Sequence, residues 1–283
     1  MTVLDEAYES LKGCRVCPRR CGVDRTAGEV GFCGVTATLR VASAMAHFGE
    51  EAPLVGRGGS GTIFLSGCNL ACIFCQNYDI SQLREGRDIS QDQMVQLMLS
   101  LQERGCHNIN FVSPTHFAPQ IMAAIDDARK RGLELPVVYN SGGYDSVDML
   151  RLLNGYVDIY MPDAKYWDEA AARELSSAPD YPEVMRQALK EMHRQVGDLI
   201  IEDGLATRGL LVRHLVLPGG LAESLDVIDF IAREVSANTY MNVMDQYRPC
   251  HFAREHPIMG ERPSPELVAE ARHHARELGL RLD

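Results

Sequence analysis

The 283-residue chain has a single tryptophan, no apolar run long enough for a bilayer, and too few basic side chains to balance its acidic ones. Each shortage excludes something. Without about eighteen consecutive apolar residues there is no membrane span to assign. The opening MTVLDEAYES also has neither the basic nor the apolar region of a secretory signal. A cytoplasmic protein with no membrane partner is therefore expected. The 28 Lys and Arg against 39 Asp and Glu leave a formal charge of −11, so the surface repels phosphate backbones and nucleic acid is not an expected partner. A composition 46% hydrophobic and 24% charged excludes a disordered chain and describes an ordinary globular one of one or two domains.

Cysteine, by contrast, is plentiful. Nine cysteines in a reducing compartment are read as metal ligands or catalytic groups, not as a disulfide framework. Cys14, Cys17, Cys21 and Cys33 form one group and Cys68, Cys72 and Cys75 another, while Cys106 and Cys250 stand alone. Residues 1–36 are rich in Cys, Gly and Arg and too polar for an apolar core of their own, so they are expected to be a small module held together by metal. A Gly-rich connector is expected over 37–60. Over 61–283, short apolar runs alternate with amphipathic helical patterns. Strands are expected at 62–66, 108–113, 136–140, 157–162, 211–217 and 240–244. Ser90 with Gln93 forms a capping-box pair, and Ser264 with Pro265 opens the last helix. Six strands alternating with helices predict an α/β fold, a partial (β/α)6 TIM-like barrel or an open parallel sheet, with its chemistry in either case at the carboxyl ends of the strands.

Cys68, Cys72 and Cys75 directly follow the first of these strands, at spacing C-x3-C-x2-C. Three thiolates leave one position of a cubane open for a ligand, whereas a closed structural site takes four. A zinc site completed by a distant His, or plainly buried cysteines, is the alternative. The first group, C-x2-C-x3-C-x11-C, supplies four thiolates and so a closed site, either an auxiliary 4Fe-4S cluster or zinc. Arg15, Arg19, Arg20 and Arg25 are expected to offset its charge.

The segment GCNLACIFCQN, with Phe74 just before its last cysteine, together with CRVCPRRCGV, SPTHF, YNSGGY, MPDAKY, VRHLVLPG and MDQYRP, resembles the radical S-adenosylmethionine (radical-SAM) enzymes over the whole chain. Within them it is similar to relatives of pyruvate formate-lyase activating enzyme, a subgroup of activating-enzyme-like Fe-S proteins. The resemblance implies that Cys68, Cys72 and Cys75 hold a 4Fe-4S cluster whose open iron chelates S-adenosylmethionine. An electron from an external donor such as flavodoxin or ferredoxin then cleaves the sulfonium to a 5′-deoxyadenosyl radical that takes hydrogen from a substrate. That substrate is a glycyl-radical enzyme partner, another protein or peptide, or a small molecule.

The same resemblance implies cofactor contacts from Phe74 and from each strand end. Ser113 and Thr115 stand where most of the superfamily has Gly-Gly-Glu for the methionine amine, with His116 beside them. Asn140 and Ser141 face the ribose. Asp163 and Lys165 match an Asp-x-Lys whose lysine meets the methionine carboxylate, and Arg213 is a second clamp on it. Met244 and Gln246 lie near the adenine or ribose. Since side chains alternate along a strand, only one of Arg213 and His214 can face inward. A non-catalytic Fe-S or zinc protein serving electron transfer or interaction is the competing reading; it has no use for polar residues at the strand ends.

Overall fold

The computed structural model describes residues 2–283. Its strands are β1 (Leu39–His47), β2 (Ser60–Leu65), β3 (Arg87–Ile89), β4 (Ile109–Val112), β5 (Val137–Ser141), β6 (Ile159–Pro162), β7 (Ile200–Glu202), β8 (Leu205–Leu215), β9 (Tyr240–Met244) and β10 (Arg281–Leu282). The helices are α1 (Val3–Glu9), α2 (Ala52–Val55), α3 (Tyr78–Ser81), α4 (Gln91–Glu103), α5 (Ala118–Lys130), α6 (Val147–Leu152), α7 (Glu169–Ser176), α8 (Tyr181–Val196), α9 (Ser224–Phe230) and α10 (Pro265–Glu277). Strands β2, β4, β5, β6, β8 and β9 are parallel and neighbour one another in chain order. They coincide with the six expected from apolar runs. The sheet ends at β10 on one side and β3 on the other and does not close. The fold is thus a partial (β/α)6 barrel.

Strand alternation sets what faces the barrel. On β4, Ile109 and Phe111 are fully buried against Met94 and Met98 of α4 and Ile121 and Ile125 of α5, which turns Asn110 and Val112 towards the interior. Each such side chain contributes about 1.5–3 kcal/mol of burial. Helix α4 starts where its cap predicts: the Ser90 hydroxyl accepts from the Gln93 N–H and the Gln93 side chain caps back. On β8, His214 points out to the helix layer, with Nδ1 2.6 Å from the Ala164 carbonyl and Nε2 2.8 Å from Ser224 Oγ. Arg213 therefore points in. Among the described residues no helix is long and apolar enough to cross a membrane.

The first sixty residues differ from expectation in two ways. The connector contains β1, a nine-residue strand antiparallel to both β2 and β3, and α2, whose Leu54 is fully buried with Val138, Ile159 and Leu211 at the base of the barrel. Most β1 positions are only half-buried, which blurs the alternation by which a strand is read. The glycines of this connector allow close approach instead of flexibility; a Cβ on Gly58 would run into the Gly105 carbonyl. The second difference lies in residues 1–36. They are not without apolar anchorage, because Ala7, Leu11 and Val16 are fully buried in the main core of the barrel, with α1 packed against α5 and α6.

Candidate functional site

The cysteine loop leaves β2 through Gly67, which has φ +86 and would clash with the Cys33 carbonyl if it carried a Cβ. Helix α7 grips the loop: the Ala71 N–H donates to the Ser176 carbonyl (3.2 Å) and the Ile73 N–H to the Leu175 carbonyl (2.9 Å). The sulfurs have polar neighbours of their own. Cys72 Sγ lies 2.9 Å from Ser176 Oγ, which Tyr166 OH meets at 2.8 Å, and Cys75 Sγ lies 3.2 Å from Ser81 Oγ. Burial, with Cys72 and Cys75 adding to it, pushes the Cys68 thiol up to about 12. Burial also raises Cys72, against the pull of Lys165. Cys68 and Cys72, crowded away from water, resist ionisation until a cationic centre takes them as ligands, and with Cys75 beside them the donor set suits a metal cluster. Among the described residues no three ligating side chains stand close enough for a single ion; the sulfurs instead share one wall of a cleft.

That cleft encloses about 1270 Å³, counting the space at its open mouth. It lies at the carboxyl ends of the parallel strands, where β/α folds place their chemistry. The structure brings Cys68, Cys72, Cys75, Phe74, Ser113, Thr115, Asn140, Ser141, Asp163, Lys165, Arg213, Met244 and Gln246 around it. Asp163 is central: Oδ2 is 2.6 Å from Lys165 Nζ, and Oδ1 is 3.0 Å from Arg213 Nε and 2.9 Å from its NH2. Burial alone would raise this carboxyl, but the two cations hold it below its ordinary value. Lys165 and Arg213 thus share Asp163 between them, so the trio by itself carries one positive charge, part of which faces Glu50 and the rest of which suits an incoming carboxylate. Arg213 also donates to Asn140 Oδ1 at 2.7 Å and lies 3.9 Å from Glu50. Phe74 packs edge-on to Tyr166 and tilted on Tyr247. Ser113 sits at φ +56, a left-handed conformation unusual for serine, at the tip of β4. Beside the cleft, His116 is fully enclosed, with Nε2 2.9 Å from the Ser66 carbonyl; it ties two loops together.

Of the second cysteine group, Cys14, Cys17 and Cys33 are buried and Cys21 is exposed. Burial, with the other three thiols adding to it, pushes Cys17 up to about 12. Burial raises Cys33 too, partly offset by Arg25. The arginines do more than balance charge. Arg19 donates to the Asn69 carbonyl (3.0 Å) and the Ser177 carbonyl (2.6 Å), and Arg25 to the His116 carbonyl (2.6 Å) and the Thr36 carbonyl (2.7 Å). The segment is laced to the loop that carries Cys68.

The Radical SAM superfamily profile matches residues 62–231, which take in the cysteine loop and the strand ends from β2 to β8. The chain belongs to the radical SAM superfamily. Its cofactors are accordingly a 4Fe-4S cluster and S-adenosylmethionine. This radical SAM protein is 32% identical over 286 residues to an uncharacterized protein of Methanocaldococcus jannaschii, covering 98% of this chain and 78% of that one. A second uncharacterized protein of the same organism is 25% identical over 308 residues, covering 97% and 82%. In fold it is similar to a radical SAM methyltransferase from Sphaerobacter thermophilus, with TM-score 0.50 and 13% identity, covering 78% of this chain and 65% of that one. It is also similar to HydG, a maturase of the FeFe-hydrogenase, with TM-score 0.52 and 11% identity, covering 77% and 49%. The chain spans just under two thirds of the first solved structure and about half of the second, and these likenesses bear on the fold alone.

Sequence reasoning missed three residues of this neighbourhood. Ser176 lies at the end of a helix that was not foreseen. Tyr247 reads as an ordinary loop aromatic. Asp145 lies four residues beyond Ser141 in YNSGGYDS, where no spacing rule marks it.

Proposed function

We propose that this protein is a radical-SAM enzyme whose single cleft holds both cofactors. Cys68, Cys72 and Cys75 ligate the cluster, Lys165 and Arg213 hold the cofactor's carboxylate, Asn140 faces its ribose, and Phe74 and Met244 cover its apolar parts. The observation that carries the reading is the convergence of three thiols and a lysine–aspartate–arginine trio on one cleft at the strand ends. A mere electron carrier has no use for that trio. When bound, the cluster and S-adenosylmethionine supply reductive cleavage of the sulfonium and removal of a hydrogen atom from a substrate. The chain's own part is to keep the trio oriented, with Asp163 fixing both cations, and to line the walls with apolar groups such as Leu215, Leu217 and Met244 that exclude water.

Cys14, Cys17, Cys21 and Cys33 we assign to a second, closed metal centre, an auxiliary 4Fe-4S cluster or zinc, and we expect reduction by an external donor such as flavodoxin or ferredoxin. Kinship with glycyl-radical activating enzymes is supported by the MPDAKY motif, which makes a glycyl-radical enzyme one candidate partner, while the added amino-terminal segment CRVCPRRCGV weighs against it. The test is anaerobic incubation of the reconstituted protein with dithionite and S-adenosylmethionine. Formation of 5′-deoxyadenosine is expected, and its absence from protein with a full iron complement would rule the reading out.

A further inference from the structure

Asp145, in the turn between β5 and α6, is 2% exposed. Its Oδ1 accepts from Thr115 Oγ1 (2.7 Å) and Tyr139 OH (3.1 Å), and its Oδ2 from Ser141 Oγ (2.6 Å). Burial pushes this carboxyl above its ordinary value, and only the three hydroxyls work against that; no cationic side chain does. A buried carboxylate without a cation is an expensive thing to keep. It contrasts with Asp163, which has two.

Two of the three hydroxyls, those of Thr115 and Ser141, line the cofactor cleft. A hydroxyl has one proton and two lone pairs. Since each of these protons is committed to Asp145, what the pair can offer a ligand is lone pairs, and the carboxylate behind them makes the oxygens more negative. Ser141 already accepts from the Gly143 N–H at 3.2 Å. The result is a small acceptor site backed by a buried carboxyl group, reached from β4 and β5, while the cationic trio is reached from β6 and β8.

We propose that Asp145 is the counter-ion for the α-ammonium of S-adenosylmethionine, acting through Thr115 and Ser141. The opposite charges of an α-amino acid are then held by different strands of one cleft, ammonium at the Asp145 relay and carboxylate at Lys165 and Arg213. Asp145 is a positioning residue, since it reaches the ligand only through the two hydroxyls. This inference rests on the cofactor assignment above.

Three probes separate the possible roles by titration into cluster-reconstituted full-length protein. S-adenosylmethionine carries ammonium and sulfonium, S-adenosylhomocysteine keeps only the ammonium, and 5′-methylthioadenosine has neither. Asp145→Asn is expected to weaken the first two alike, by about ten- to a hundredfold, and to leave the third unchanged. Equal loss for all three would make Asp145 structural, loss for S-adenosylmethionine alone would make it a sulfonium partner, and no loss would leave it without a role; each overturns the proposal. Should Asp145→Asn not fold, Thr115→Val with Ser141→Ala keeps the carboxylate and removes the relay, and the same selective loss is expected. A wild-type protein that binds none of the probes would overturn the cofactor assignment and this inference with it. A wild type that binds them normally while the variants show no selectivity overturns the inference alone.

Discussion

The two cysteine-rich segments carry the same side chain and differ in what covers it. Cys68, Cys72 and Cys75 open on a cleft shared with Asp163, Lys165 and Arg213, whereas three of the four cysteines at 14, 17, 21 and 33 are buried beneath the chain's own folds. The set of three thus shares a large cleft with charged side chains, while most of the set of four is covered by protein. The segments are nonetheless bound to each other. Arg19 spans the carbonyls of Asn69 and Ser177, next to Cys68 and to Ser176, so the amino-terminal segment braces the cleft loop.

The sharpest way to break this comparison is to remove one thiol from the open set. Cys72→Ala is expected to reduce cleavage of S-adenosylmethionine at least about a thousandfold, with the barrel still folded by circular dichroism. Cleavage at the wild-type rate would remove the distinction between the segments.

A smaller effect is expected from the clamp. Losing one of two charge-assisted contacts costs about 1.5–3 kcal/mol, or roughly ten- to a hundredfold in affinity. Lys165→Met and Arg213→Met are therefore expected to weaken S-adenosylmethionine binding by that factor, with Arg213→Met the more damaging because Arg213 also positions Asn140. Unchanged affinity in both, measured by calorimetric titration, would show that other groups hold the carboxylate.

The six barrel strands could be read from the sequence because each is an apolar run closed by a turn, and alternation then fixed which side chains reach the cleft. That left Arg213 and His214 as alternatives, since adjacent residues of one strand face opposite ways; the Ala164 carbonyl and Ser224 hydroxyl on His214 decide between them. Other features depend on partners brought from a distance. β1 is half-exposed on an antiparallel extension, so its pattern is weak. Ser176 reaches Cys72 across 104 positions of sequence, and Asp145 acquires its setting only where β4 and β5 place Thr115 and Tyr139 over it.

The smallest effect concerns the two enclosed histidines that frame the barrel loops. Burial lowers His116 to about 3 and His214 to about 4, from an ordinary 6.5. Below pH 6.5 the unfolded chain takes up protons that the folded chain refuses, so this stability is present above pH 6.5 and is lost as pH falls towards those values. Each histidine is expected to withdraw about 2 kcal/mol between pH 7 and pH 5. Denaturant melts at both pH values check this: His214→Gln should show a smaller loss than wild type, and an identical loss would contradict it.

The central claim is that the open thiol set alone receives the cofactor. The direct measurement is the electron paramagnetic resonance spectrum of the reduced protein, with and without S-adenosylmethionine, in a variant carrying Ala at positions 14, 17, 21 and 33. The predicted result is one 4Fe-4S cluster whose signal changes when the cofactor is added. The account would be contradicted by a variant that retains a cluster whose signal ignores the cofactor, while the complementary variant with Ala at 68, 72 and 75 still responds.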